Sequence, residues 1–211
     1  MTIAFIRFDL LSWLPRKQTL LPLAFIAVVG VALPVPGMAV VASAVVASMM
    51  ISAPFLADER GRLDILYGLL PISRNRVVVG RAAALLVYYV IAFGVAALTT
   101  FVVAIARDDA IPMELVGIAL AVGFAFIGFA MALQLPVLFR IGYTRGRLVA
   151  YAPAFVVAGL IWLNQTMGLV EMEGDLLTTL ELVVGSVVIG ALGSAVGVLI
   201  AMRMYRTREL R

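Results

Sequence analysis

Residues 18–57 run for forty positions without a single Asp, Glu, Lys or Arg, and further uncharged stretches follow at 82–106, 115–139, 148–170 and 182–202. A bilayer core of about 30 Å is crossed by roughly 20 helical residues. Only helices or closed barrels satisfy their backbone groups in lipid, and uninterrupted apolar runs of this length point to helices. The charge content agrees: 13% of the residues are charged, where a soluble domain carries about 25%. The forty-residue run is broken at Pro34-Val35-Pro36-Gly37, so it holds either two spans joined by a tight turn or a re-entrant hairpin that never crosses.

The expected fold class is all-α: one polytopic membrane domain over 1–211, with spans at about 18–34, 38–57, 78–106, 115–139, 148–170 and 180–202. Segment 1–17 mixes Arg7, Asp9, Arg16 and Lys17 with Phe5, Ile6, Phe8, Leu10, Leu11, Trp13 and Leu14, and no small-residue cleavage site closes a short apolar core. It reads as an amphipathic helix in the inner headgroup layer, with Trp13 as interfacial anchor and Pro15 ending it. The alternative is a cytosolic first turn of the first span.

Charge distribution sets the orientation. With the N-terminus in the cytosol, fifteen of the sixteen basic residues lie inside and only Arg107 lies outside, as the positive-inside rule requires. Asp108, Asp109, Glu114, Glu171, Glu173, Asp175 and Glu181 then fall outside. The net charge of +4 is a record of topology rather than of nucleic-acid binding, and both termini are expected in the cytoplasm of a bacterial cell.

The longest charged interruption is 58–81, which holds eight of the twenty-eight charges and is expected in water. Within it Leu63, Leu66, Tyr67 and Leu70 keep i, i+3, i+4, i+7 spacing, while Ile65 and Leu69 form a second apolar side. A cytosolic helix of about three turns with two apolar sides is built to be sandwiched. Pro71 stops it, and the Ser73 hydroxyl stands ready to cap the next helix. A solvated loop containing leucines is the plainer alternative.

Chemistry is narrowed by what is missing. The chain has no cysteine and no histidine, which removes disulfides, thiolate chemistry, His-ligated metals and histidine proton relays. A P-loop needs a lysine after its glycine-rich turn, and the sole lysine, Lys17, follows Pro15-Arg16. No ATP or other cofactor is expected on this chain. The spans carry no charge at mid-depth, where ion-coupled transporters and intramembrane enzymes place it. Gln134, Thr99, Thr100 and Asn164 are the deepest polar candidates for a substrate path, although each also suits a helix–helix hydrogen bond. Small residues at four-residue spacing (Ser43/Ala47, Ala44/Ser48, Gly128/Ala132, Ser186/Gly190/Ser194, Gly193/Gly197) read first as packing seams within the chain and second as a dimer interface.

Asp58-Glu59-Arg60, a short helix ending Leu69-Leu70-Pro71-Ile72-Ser73-Arg74, and Val77-Val78-Val79-Gly80-Arg81 leading into a span together resemble the cytosolic loop between the second and third spans of small permease subunits of bacterial type-2 ABC exporters. The length, the N-terminal helix and the six spans are similar too. The resemblance implies a dimeric permease in the cell membrane whose copies each dock a separate ATPase subunit, ATP being bound by that partner. It implies a coupling helix after the second span, with Asp58, Glu59, Arg60 and Arg62 at its polar entry. Leu63, Leu66, Tyr67 and Leu70 would form its packing surface, and Ser73 and Arg74 the turn back into the membrane. Family substrates range from amphipathic peptides and antibiotics to lipids. A self-sufficient secondary transporter of a small hydrophobic solute is the alternative, and an intramembrane protease or lipid-modifying enzyme a third.

Overall fold

A computed structural model describes residues 2–32, 38–61, 73–108, 113–167 and 178–206. They are helical, with no strand among them: α1 (Thr2–Trp13), α2 (Lys17–Ala32), α3 (Met38–Met50), α4 (Ala53–Gly61), α5 (Arg74–Arg107), α6 (Met113–Gly146), a 3-10 turn (Arg147–Tyr151), α7 (Ala152–Met167) and α8 (Thr179–Arg206). The expected all-α class holds for these residues. The short helix at 63–70 falls outside them.

Among the described residues, Ala39–Gly61, Arg74–Arg107, Glu114–Gly159 and Thr179–Arg206 are long and apolar enough to cross a membrane. A fifth crossing arises if Phe5–Trp13 and Lys17–Ala32, bent by 78° at their junction, act as one span. The expected spans at 18–34 and 148–170 are represented by α2 and α7, each of 16 residues. At 1.5 Å per residue that is about 24 Å, short of the hydrocarbon thickness.

The bundle is organised around α5, 34 residues long, which packs against α1, α2, α3, α6 and α8. Its buried positions, among them Val78, Arg81, Leu85, Tyr88, Ala92 and Ala96, recur at helical spacing along one side. Tyr88 donates to the Thr19 carbonyl at 3.2 Å and Tyr89 to that of Leu120 at 2.8 Å, fastening α2 and α6 to it.

The most intimate pairing is α6 with α8. A Cβ on Gly193 would lie 2.7 Å from the Gly128 carbonyl carbon, and one on Gly197 2.7 Å from the Met131 carbonyl oxygen. Cβ atoms on Gly128 and Gly190 would strike Gly190 and Phe124 respectively. The expected seams therefore pack within the chain, where backbone contact replaces the hydrophobic drive that lipid removes. Two polar devices end these elements. Thr178 and Glu181 exchange bonds, Thr178 N to Glu181 Oε2 at 2.9 Å and Glu181 N to Thr178 Oγ1 at 3.3 Å, a capping box legible as T-x-x-E. Arg107 donates to the Val31 carbonyl at 3.2 Å at the end of α2.

The expected role of Trp13 is overturned. Trp13 is 1% exposed and lies against Tyr88, ring centroids 5.4 Å apart, so it is no headgroup anchor. Phe5, Asp9 and Trp13, spaced i, i+4, i+8, form the docked face of α1, and the Phe5 ring lies on Gly80, where any side chain would collide. The opposite side presents Phe8 and Leu11, 42% and 61% exposed.

Candidate functional site

Asp58, Glu59 and Arg60 end α4 immediately before residues 62–72. Successive helical residues point about 100° apart, so three side chains in a row reach three directions. Each one grips a different element.

Asp58 turns inward. Both of its carboxylate oxygens accept from the Arg81 guanidinium, Oδ2 from Nη1 and Oδ1 from Nη2 at 3.2 Å. The same Nη2 donates to Asp9 Oδ1 at 2.6 Å. Asp9 and Arg81 are 0% and 1% exposed and Asp58 is buried, and the guanidinium lies 5.0 Å from the centre of the Phe55 ring. A planar fork bound on both prongs by a carboxylate is the arrangement arginine forms and lysine does not. The expectation that the whole of 58–81 stands in water therefore fails at its two ends. Asp58 and Arg81 lock together inside the protein, with Asp9 of α1 as a third member.

Glu59 points to the end of α6. Its carboxylate accepts from the Thr144 amide at 3.1 and 3.2 Å and from the Thr144 hydroxyl. That amide is free to donate because α6 breaks just before it, at Gly142 with φ 78°, a conformation glycine adopts at little cost. Arg60 reaches α2, donating to Gln18 Oε1 at 3.0 Å.

The far stem of 62–72 is fastened as well. Ser73 is the N-cap of α5 through its backbone, its carbonyl accepting from Arg76 and Val77, and its hydroxyl makes no capping bond. Arg74 donates to the carbonyls of Tyr205 and Arg206 at 3.2 and 3.0 Å and lies over the Tyr205 ring, a cation on the negative end of α8. Arg206 returns a bond to Asn75 at 3.1 Å. Both stems of one loop thus grip α1, α2, α5, α6 and α8. Arg62, Leu63, Leu66, Tyr67 and Leu70 lie outside the described residues.

The polar residues named for a substrate path are not brought together. Thr99 and Thr100 donate to carbonyls one turn back, Val95 and Ala96, at 2.8 Å each. Gln134 is buried, and its amide donates to Ser48 at 3.1 Å and Ala150 at 3.4 Å, bridging the α3–α4 break to the 3-10 turn. The Asn164 side chain is not among those described. Away from the junction, α3, α6 and α7 border an open apolar pocket of about 320 Å³ lined by Val41, Ala44, Val45, Val122, Phe126 and Val157, among others.

Sequence reasoning missed Arg81 and Asp9 as partners of Asp58. The available signal was a carboxylate, Asp9, inside an otherwise apolar i, i+4 stripe, because a docked face tolerates a charge only when it is paired.

A family model described as ABC-2 family transporter protein matches residues 6–206 of the chain. Comparison with curated proteins and with solved structures finds no match.

Proposed function

The chain belongs to the ABC-2 family of transporter proteins, and on that premise we propose that it is the membrane-spanning half of an ATP-driven exporter, coupled through residues 62–72 to a separate ATPase subunit. In this reading two copies form the permease, six spans cross the bacterial cell membrane with both termini in the cytoplasm, and ATP is bound by the partner. The observation that carries the reading is the double-stemmed junction. A push on 62–72 reaches α5 and α1 through Asp58–Arg81–Asp9, α6 through Glu59–Thr144, α2 through Arg60–Gln18 and α8 through Arg74.

The proposed substrate path is apolar and suits an amphipathic or hydrophobic molecule such as a peptide, antibiotic or lipid. The cavity between α3, α6 and α7 supports this better than the polar candidates, since the hydroxyls of Thr99 and Thr100 are bonded within their own helix and the Gln134 amide ties α6 to α3. The alternative of a self-sufficient secondary transporter gains one observation, the buried ionisable cluster. That cluster sits only two turns into α5 and is bound up in its own salt bridges, whereas coupling by ions needs charge on the transport path.

The test is copurification of the partner ATPase with variants of the loop. Leu66→Glu or Tyr67→Glu buries an unpaired charge in the proposed contact at several kcal/mol, roughly a thousandfold loss of binding at 1.4 kcal/mol per decade. Retention of the partner at wild-type levels by variants that still insert would sink the coupling assignment.

A further inference from the structure

The corner where α1 turns into α2 has a feature the junction does not use. The bend is held by the Thr19 hydroxyl on the Trp13 carbonyl at 2.8 Å and by the Thr19 and Leu20 amides on the Arg16 carbonyl at 2.9 and 3.1 Å. Behind it lies a cavity of about 150 Å³ whose polar lining is Trp13, Arg16, Gln18, Thr19, Ser52 and Tyr143. A cavity of that size elsewhere admits a molecule as large as benzene. Its described lining contains a cation and hydrogen-bond donors and no carboxylate.

We propose that this corner is a binding site for a phosphate-bearing anion, with Arg16 as its principal ligand. Two lining hydroxyls are occupied, Thr19 as above and Ser52 on the Met49 carbonyl at 3.0 Å, and Gln18 Oε1 accepts from Arg60. The Arg16 guanidinium, the Gln18 amide NH₂ and the Tyr143 hydroxyl have no partner among the described residues. A guanidinium fork flanked by neutral donors matches phosphate oxygens in number and geometry. The carboxylates of α1 and α4 are engaged elsewhere, Asp9 and Asp58 by Arg81 and Glu59 by Thr144. Lys17 follows Arg16 directly, and the positive end of α2 opens at the same point.

Depth favours the same chemistry. The outer side of α1 carries Phe8 and Leu11, both exposed, beside exposed Arg7, the composition of a helix lying at the level of lipid headgroups. Phosphates of anionic lipids are therefore supplied at this height, and free phosphate is the other source of the same group. The site is independent of the transport reading.

The experiment uses the full chain purified in mild detergent, with retained lipid measured by native mass spectrometry after exposure to phosphatidylglycerol or phosphatidylcholine. Wild type should retain phosphatidylglycerol. Arg16→Gln should lower that retention about tenfold, the effect of removing one charge-assisted bond, while Arg7→Gln, outside the cavity, should leave it within about twofold. Displacement of the lipid by millimolar inorganic phosphate would assign the site to free phosphate, and resistance to it would assign a lipid headgroup. Should Arg16→Gln fail to fold, Tyr143→Phe removes a single donor and should cost about threefold, the low end for one hydrogen bond. Equal losses for Arg7→Gln and Arg16→Gln would reduce the effect to diffuse surface charge and overturn the proposal, as would wild-type retention by Arg16→Gln or by a folded Tyr143→Phe.

Discussion

Arg81 is the residue on which the end of the bundle beside residues 62–72 depends, since one guanidinium bridges the carboxylates of Asp58 and Asp9 on two other helices. Removing one member of a buried ionic group costs about 3–5 kcal/mol because the others are left unpaired, while replacing the whole group by apolar residues is often neutral. Arg81→Met should therefore lower the unfolding midpoint by on the order of 10 °C, and the triple change Asp9→Leu, Asp58→Leu, Arg81→Met should regain most of it. Thermal unfolding in detergent checks both, and an Arg81→Met midpoint within a degree of wild type would mean that the cluster is not held as described. Glu59→Gln and Arg60→Gln, at exposed positions, should each cost no more than about 1 kcal/mol in the same assay. Charge counting along the chain could not anticipate this split. Asp58, Glu59 and Arg60 look alike as sequence, and only the turn of α4 sends the first inward and the other two outward.

Among the elements, the α6–α8 pair makes a sharp prediction because its glycines differ in what surrounds them. At Gly128, Gly190, Gly193 and Gly197 an added Cβ meets backbone or an aromatic ring, whereas at Gly94 and Gly117 it meets nothing within 4 Å. Gly128→Ala should separate the helices and cost about 1–3 kcal/mol, as overpacking does. Gly94→Ala should be neutral or stabilise by up to about 1 kcal/mol through helix propensity. Equal midpoints for the two variants would show that the seam is not close-packed. Which helix meets which was not legible in the sequence, but the two seams were, since small residues four apart lie on one side of a helix wherever it sits. The α3–α4 break was less so. Pro54 cannot donate to the Met50 carbonyl, but what stabilises the bend is Gln134, 86 positions from Ser48, and no local pattern announces a partner at that distance. Trp13 was misjudged for a related reason: an aromatic near a membrane end serves equally as anchor or as core, and only the facing Tyr88 decides which.

At the scale of the molecule, helix length and charge give two counts of the crossings. Four or five stretches meet the length and apolarity of a span, while the basic residues partition as six crossings would place them. The two counts part at α2 and α7, whose 16 residues span about 24 Å. A helix that short can still cross if the bilayer thins or its flanks lengthen it, at fractions of a kcal/mol per Å of mismatch. Without a crossing by α7, and with α8 still spanning, Arg203, Arg206, Arg208 and Arg211 would lie outside, against the positive-inside bias. Six crossings are therefore the count we propose. Single cysteines test it in a chain that has none of its own. Those placed at Pro36, Asp109 and Glu173 should react with an impermeant thiol reagent from outside intact cells, and those at Arg62 and Thr144 only after the cells are opened. Protection at Pro36 alone would make α2 and α3 a re-entrant hairpin. Protection at Glu173 alone would leave the link between α7 and α8 inside, which removes the α7 crossing and, with α8 still spanning, exports a net positive C-terminal end. Labelling at Arg62 from outside would invert the bundle and place the junction of Asp58, Glu59 and Arg60 beyond the reach of any cytosolic ATPase.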